Sequence, residues 1–182
     1  MRPSNKTTIL EAAATVVEEH GVTSVTFESV ASAAGITRGG ITYHFPSRDA
    51  LVRALHEHMA HRWEQQLELV CGKPAHEASE SERLAAYVRA CATAASRGEL
   101  QMLLDSPHTE YEEVWTATME RWVPASAEAT GTGPVTLTMI ALLAGDGLWV
   151  NEAITRSELS HERRLEVADA IIRLVEGSTP SA

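Results

Sequence analysis

The sequence predicts an all-α protein with a small N-terminal unit and a larger C-terminal one. Apolar residues recur at three- and four-residue spacing along most of the 182 residues, which is the period of an amphipathic helix. Aromatic residues make up only 5% of the chain and alanine is frequent, a composition that favours helices over β-sheet. Glycines and prolines divide the chain into segments of helix length. We therefore expect about nine helices, three within residues 1–48 and the rest within residues 49–182.

The first predicted helix runs from about Thr8 to His20. The residues Thr8-Ile9-Leu10-Glu11 match the capping-box pattern, in which a hydroxyl and a carboxylate accept from the first free backbone N–H groups. A stripe of aliphatic residues follows at helical spacing, and Gly21 is expected to end the helix.

Two short helices joined by a tight turn are predicted between Thr26 and Phe45. Thr26 can cap the first helix, because its hydroxyl can accept from a free backbone N–H group. Gly35 can take the left-handed conformation that ends a helix. Thr37 then caps the second helix, whose Ile41 and Phe45 lie one turn apart and face inward.

The outward face of the second short helix is poor material for a protein core. It presents Arg38, Gly39, Thr42, Tyr43 and His44. Arginine can donate two hydrogen bonds to a guanine edge in the DNA major groove, and threonine or tyrosine can reach phosphates or a thymine methyl group. The glycines weaken the helix and let its backbone approach DNA closely. The same pattern also fits an ordinary helical hairpin.

The segment from Gly21 to Leu51 closely resembles the N-terminal domain of tetracycline-repressor (TetR) family regulators. The resemblance rests on Thr26-Phe27-Glu28-Ser29-Val30-Ala31 and on Ala34-Gly35-Ile36-Thr37-Arg38-Gly39-Gly40-Ile41-Thr42-Tyr43-His44-Phe45-Pro46-Ser47-Arg48-Asp49-Ala50-Leu51. It is specific in residue type and spacing. The rest of the chain matches the family only in being helical and of the right length.

The residues expected to contact DNA fall into two groups. Arg38 is the first candidate for base readout, with Thr37, Gly39 and Thr42 next. Tyr43, His44 and Arg48 match family positions that contact phosphate, and Thr26 can donate its backbone N–H to phosphate at a helix N-terminus. Tyr43 can alternatively pack against the following helix. The family often has a large apolar or aromatic residue in place of Thr42, so a contact from Thr42 is expected to be particular to this chain.

The remaining residues form a series of predicted helices. Ser47 is expected to cap a long helix that reaches about Val70, with apolar residues at helical spacing. The next helix is expected at about 81–97, with Gly98 ending it. Later helices are expected at about 100–105, 108–123, 134–155 and 160–176.

The last two predicted helices are candidates for an interface between two copies of the chain. In TetR regulators these helices pair with their copies in a second subunit, which implies a homodimer. The candidate residues are Val135, Met139, Leu142, Leu143, Val150, Leu165, Ile172 and Val175. They equally fit an intramolecular core. A dimer suits DNA reading, because two recognition helices about 34 Å apart can read a palindrome.

The resemblance implies a small-molecule pocket in the larger unit. Candidate lining residues are Trp63, Tyr87, Cys91, Trp115, Met119, Trp122, Asp146 and Trp149. Tryptophan and methionine at helical spacing also fit a plain hydrophobic core. Asp146 is more informative, because a carboxylate in an otherwise apolar helix needs a partner when it is buried. That partner is either a cationic ligand, which aromatic residues would also attract, or an internal donor.

Patterns of catalytic and metal sites are missing from the sequence. There is no GxSxG, P-loop or HExxH motif, and the Gly131-Thr-Gly133 stretch lacks the third glycine of a dinucleotide fingerprint. His56, His58 and His61 cannot ligate one ion together, because His56 lies about 200° from His58 around a helix. We expect these histidines on a solvated face, with a pH-sensitive hinge as the alternative, since histidine titrates near neutrality. The prediction is a non-enzyme with no catalytic residue, no metal and no cofactor.

Composition and charge indicate the compartment and the partner. No apolar run approaches the roughly 18 residues of a membrane span, and no signal peptide is recognised. Cys71 and Cys91 lack CxxC spacing, which favours reduced thiols and a cytoplasmic protein. The net charge is −10, but residues 1–48 carry four basic and four acidic side chains. The excess acid therefore lies outside the expected DNA-binding unit, whose non-specific electrostatic affinity should be modest.

The function predicted from the sequence is a homodimeric, ligand-responsive repressor. We expect it to bind a palindromic operator in double-stranded DNA and to release it when a small molecule occupies the larger unit. The alternative is a helical protein-interaction module that kept the N-terminal unit without regulated DNA release.

Overall fold

The computed structural model describes residues 5–93, 96–107, 109–124, 134–155 and 159–177. Across these ranges the chain is all-α without a strand, as predicted, and no helix in them is long and apolar enough to cross a membrane. The helices are α1 Asn5–His20, α2 Phe27–Ala34, α3 Arg38–His44, α4 Arg48–Cys71, α5 Glu80–Thr93, α6 Arg97–Asp105, α7 Glu112–Trp122, α8 Pro134–Thr155 and α9 His161–Glu176. Short 3₁₀ turns occupy Val22–Ser24 and Ala75–Glu77.

Helix caps explain where several of these helices begin. The hydroxyl oxygens of Thr26, Thr37 and Ser47 each accept a hydrogen bond from the backbone N–H three residues later. The donor–acceptor distance is 3.1 Å in each case. Gly35 ends α2 in the left-handed conformation, with φ 65° and ψ 30°. The caps lie at the residues predicted from the sequence and confirm the helix–turn–helix.

The predicted start of α1 is wrong. The helix already includes Asn5, so Thr8 lies within the helix and not at its N-cap position. The stretch from Asn5 to Thr8 contains no proline or glycine, so nothing in it stops the helix from extending toward the N-terminus.

The predicted end of α5 at Gly98 is also wrong. α5 ends at Thr93, and Gly98 lies in the first turn of α6. Ser96 caps α6: its hydroxyl accepts from the N–H of Glu99 at 3.1 Å, and the Glu99 carboxylate accepts from the N–H of Ser96 at 2.9 Å. This capping box begins a new helix where the glycine suggested an end.

The described residues form two compact units. The first takes those of Met1–Arg62 and Ser96–Trp115, and the second takes those of Trp63–Ala95 and Thr116–Ala182. In the first, α1 packs against α2 and α6 around aliphatic side chains. Its fully buried members include Ile9, Val17, Val30, Ile41, Leu51 and Leu55. In the second, α5 packs against α8 and α9. The functional division at residue 48 stays a prediction.

One correction within the first unit concerns the histidines of α4. His56 is buried, whereas the sequence predicted a solvated face for all three. His58 is held by Glu11 at 2.9 Å, and His61 is exposed. The Nδ1 of the buried ring accepts from the indole N–H of Trp115, 3.0 Å away, which offsets part of the cost of burying His56.

Candidate nucleic-acid interface and ligand cluster

The helix α3 has an inner and an outer face, as the sequence predicted. Ile41 is fully buried and Phe45 nearly so. On the other side Tyr43 is 84% exposed, and Arg38 is exposed at the start of the helix. The two buried residues anchor the helix, so the outward side chains remain available to a partner.

The two glycines of α3 are not required by crowding within the protein. A Cβ atom at Gly39 would meet only the Thr37 hydroxyl, at 3.8 Å, and one at Gly40 would meet Thr37 and Ile36 at 3.6 Å or more. These are ordinary contact distances. The space beside Gly39 is therefore open, which is consistent with close approach of a large external partner.

Thr42, His44 and Thr26 already have contacts within the protein. The Thr42 hydroxyl donates to the carbonyl of Gly39 at 3.2 Å, and the His44 ring lies edge-on to Tyr43 with centroids 5.0 Å apart. The backbone N–H of Thr26 donates to the hydroxyl of Ser29 at 3.0 Å. A phosphate contact from that N–H would have to replace this bond. The reciprocal bond made by Ser29 was missed from the sequence, because the usual signal at that position is glutamate or glutamine.

Arg48 holds the turn before α2. Its Nε donates to the carbonyl of Val25 at 2.8 Å, and its Nη2 lies 3.4 Å from the carbonyl of Val22. The side chain therefore ties α4 to two carbonyls of this turn, of which that of Val22 also accepts from the backbone N–H of Val25. The phosphate contact of Arg48 stays a prediction. Its structural role in holding this turn was not predicted from the sequence.

Arg38 forms an ion pair that the sequence analysis did not anticipate. Its Nη1 lies 2.8 Å from Oε1 of Glu28, in the first turn of α2, and its guanidinium lies 6.0 Å from the ring of Phe27. The spacing of ten residues carries no signal in the sequence, since the contact depends on how α2 and α3 cross.

Aromatic side chains and one carboxylate form a cluster in the second unit. The rings of Trp63 and Trp149 stack with centroids 5.4 Å apart, and Tyr87 lies edge-on to Trp63 at 6.2 Å. The Tyr87 hydroxyl donates to Oδ1 of Asp146 at 2.7 Å. Burial raises the pKa of the Asp146 carboxyl, while the bond from Tyr87 acts in the opposite direction. Burial also raises the pKa of the Cys91 thiol, so this thiol is protonated at neutral pH.

Not all of the predicted pocket residues join this cluster. Trp63, Tyr87, Cys91, Asp146 and Trp149 belong to the second unit, whereas Trp115 belongs to the first, where it bonds His56. Trp122 is fully buried in the second unit, and its indole N–H has no hydrogen-bond partner among the described residues. Met119 is half-buried.

Metal ligands are not grouped in the residues that the structure describes. No set of three or more histidine, cysteine or acidic side chains there could hold an ion. The three histidines of α4 point to different surroundings, since His56 is buried, His58 bonds Glu11 and His61 lies on the surface.

The helix–turn–helix with its outward Arg38 and the helical second unit define a class: an all-α transcriptional regulator that binds DNA. Two family models match the chain. The model of bacterial regulatory proteins of the tetR family matches residues 9–55, and that of the tetracyclin repressor-like C-terminal domain matches residues 81–176. The chain therefore belongs to the TetR family of transcriptional regulators.

Solved structures share the fold along nearly the whole chain. A transcriptional regulator from Rhodococcus sp. Rha1 has a TM-score of 0.70 at 16% identity, covering 98% of this chain and 100% of that one. A TetR family member from Streptomyces coelicolor has a TM-score of 0.59 at 18% identity, covering 93% and 98%. The multidrug binding protein EbrR, complexed with ethidium, has a TM-score of 0.56 at 20% identity, covering 92% and 98%. No curated protein sequence matches the chain.

Proposed function

We propose that this regulator is a homodimeric repressor that binds a palindromic operator and releases it when a small molecule binds. The observation that carries the DNA contact is the outer face of α3, where exposed Arg38 and Tyr43 lie opposite the buried anchors Ile41 and Phe45. Residues 1–48 are proposed to read DNA, and residues 49–182 to bind the effector and form the dimer. A repressor of this kind works beside the chromosome, so the proposal includes a cytoplasmic location.

The proposed DNA contact is tested by selecting bound duplexes from random sequence with the purified protein, at near-physiological salt. We expect enrichment of a palindrome with two half-sites. In Arg38→Ala, preference at one base pair per half-site should be lost, at a cost of about 1–3 kcal/mol, because a bidentate arginine–guanine contact is removed. Failure of the folded wild-type dimer to enrich any sequence would favour the protein-interaction module instead.

An exposed apolar surface on α8 and α9 supports the dimer. Leu143 is 62% exposed and Leu174 63%, and Ile140 and Met139 are also exposed. Leu142 and Ile172, which the sequence also nominated for the interface, are buried within the protomer. Exposed aliphatic side chains grouped on neighbouring helices are costly in water and favour association. The proposed interface is therefore Met139, Ile140, Leu143 and Leu174.

The cluster of Trp63, Tyr87, Trp149 and Asp146 supports a lipophilic cation as the effector. Aromatic faces and a half-buried carboxylate both attract positive charge. Asp146 now has the internal donor that the sequence left open, Tyr87, which uses one of its two oxygens. EbrR, which has a similar fold, is complexed with the cation ethidium.

The effector proposal is tested by titrating the DNA-free protein with ethidium and following its fluorescence anisotropy. Asp146→Asn should weaken binding about tenfold or more, since a charged hydrogen bond or ion contact contributes about 1.5–3 kcal/mol. Asp169→Asn is the matched control, because Asp169 lies in the same unit but pairs with Arg89 at the surface. Equal binding by wild type and Asp146→Asn would contradict the assigned role of the carboxylate.

A further inference from the structure

The ion pair between Glu28 and Arg38 places a carboxylate on the proposed DNA-reading surface. Glu28 lies in the first turn of α2, and Arg38 is the first residue of α3. Their side chains are 65% and 67% exposed, so both charges face solvent on the same side of the helix pair. The carboxylate of Glu28 therefore contacts the same guanidinium group that is proposed to contact a base edge.

The pair leaves Arg38 able to read a base. A guanidinium has five N–H donors, and the ion pair to Glu28 is made through Nη1. The remaining donors can still form a bidentate contact with guanine. With Glu28 on one side and the Phe27 ring 6.0 Å away, the long side chain has lost part of its rotamer freedom before DNA arrives.

The same carboxylate opposes binding to DNA in general. It neutralises one of the few cations on the reading surface and repels nearby phosphates. This matters here because residues 1–48 have no net charge. A free Arg38 could swing to a phosphate on any sequence, whereas the paired side chain is kept near the base edges.

We propose that Glu28 is a positioning residue for DNA readout, which holds Arg38 toward the bases and raises sequence discrimination at the expense of non-specific affinity. The inference rests on the proposed function in one respect, the assignment of Arg38 to a base. It extends that function to a residue on the other helix of the motif, which does not itself need to touch DNA.

The test compares wild type, Glu28→Gln and Glu57→Gln on two probes. Glutamine keeps the shape of Glu28 and removes its charge. Glu57 is an exposed glutamate in the tenth position of α4, so Glu57→Gln makes the same change in net charge away from Arg38. One probe is a random-sequence duplex. The other is the duplex selected by wild type, used together with variants of it at one base pair. That base pair is the one at which Arg38→Ala loses its preference. Binding is measured by anisotropy over a range of salt concentrations, and circular dichroism checks the fold.

We expect Glu28→Gln to bind the random duplex more tightly than wild type and to show a steeper salt dependence. Each additional phosphate contact steepens the plot of log K against log salt by about 0.9, so one contact in each DNA-binding unit of a dimer steepens it by about 1.8. Discrimination at the base pair assigned to Arg38 should fall, and Glu57→Gln should resemble wild type in both respects. In an Arg38→Ala background, Glu28→Gln should no longer change discrimination.

Two results would overturn the inference: an unchanged salt slope and base preference in Glu28→Gln, or equal changes in Glu57→Gln. Both differ from failure of the proposed function, in which wild type itself selects no sequence. If wild type selects no sequence, the random-sequence duplex still tests the role of Glu28. Equal salt slopes for Glu28→Gln and Glu57→Gln on that duplex would reject this role.

Discussion

At the scale of single residues, His56 shows how burial sets a protonation state. Its Nδ1 accepts from the indole N–H of Trp115, and its ring stacks on Tyr111 with centroids 4.3 Å apart. An accepting Nδ1 places the proton of the neutral ring on Nε2, which is buried without a partner among the described residues. Burial lowers the pKa of His56 to about 4, although the charge of Asp105 acts in the opposite direction.

His56 should make the stability of the protein depend on pH. The unfolded histidine, with a pKa of 6.5, binds a proton at a higher pH than the folded one, with a pKa of about 4. The stabilisation is therefore present above pH 6.5 and is lost as the pH falls toward 4, by up to about 3 kcal/mol. Urea unfolding at a series of pH values should show this loss in wild type and a smaller one in His56→Asn.

His61→Asn is the control for this prediction, because His61 is exposed on the same helix. It should keep the wild-type pH dependence. If His56→Asn and wild type lose the same stability over this range, the histidine does not titrate as the structure implies. The sequence could not have predicted this behaviour, because the partners of His56 are Tyr111 and Trp115, more than fifty residues away.

At the scale of elements, the start of α6 is stabilised by two glutamates. Glu99 completes the capping box with Ser96, and Glu18 of α1 accepts a short hydrogen bond from the backbone N–H of Gly98. A carboxylate at a helix N-terminus is favourable because the first N–H groups have no partner within the helix. The Ser96–Glu99 box can be recognised in the sequence, whereas the contact from Glu18, eighty residues earlier, depends on the packing of α1 against α6.

Gly98→Ala should destabilise the protein because a Cβ atom would lie 2.7 Å from Oε2 of Glu18. The carboxylate would have to move, and losing its charged hydrogen bond costs about 1.5–3 kcal/mol, of which alanine's higher helix propensity offsets about 1 kcal/mol. Urea unfolding should therefore show a net loss of about 1 kcal/mol.

The double-mutant cycle with Glu18→Ala isolates this contact. In the Glu18→Ala background, Gly98→Ala should be neutral or stabilising, because only the gain in helix propensity remains. The explanation fails if the cost of Gly98→Ala is the same in both backgrounds.

At the scale of the whole molecule, the described part of the chain leaves several large aliphatic side chains in water. Leu143 and Leu174 lie on neighbouring helices, α8 and α9, while Leu69 is alone on α4 and 75% exposed. Single exposed leucines are common on protein surfaces, but grouped ones indicate a contact surface. This difference distinguishes the proposed dimer interface from ordinary surface.

Leu143→Glu should convert the proposed dimer into a monomer, because it places a charge in the centre of an apolar interface. Size-exclusion chromatography with light scattering measures the mass, and circular dichroism should show unchanged helix content. Leu69→Glu is the matched control in the same unit and should remain dimeric. A dimer of unchanged affinity in Leu143→Glu would place the interface elsewhere.

The sequence by itself determined the all-α class, the order of the helices and the helix–turn–helix that identifies the family. The interactions responsible are local, because Thr26, Gly35 and Thr37 act on backbone groups within about four residues. They can therefore be recognised in the sequence without knowledge of the fold. Apolar spacing likewise shows which face of α3 turns inward, as burial of Ile41 confirms.

Only the tertiary structure decided which distant side chains meet. It paired Glu28 with Arg38, Glu18 with Gly98, and Tyr87 with Asp146, and it made Leu142 part of the protomer core while leaving Leu143 in water. Such contacts depend on how helices cross and rotate against each other. Small changes in helix packing move a side chain by several ångströms, so residue type and spacing do not determine these partners.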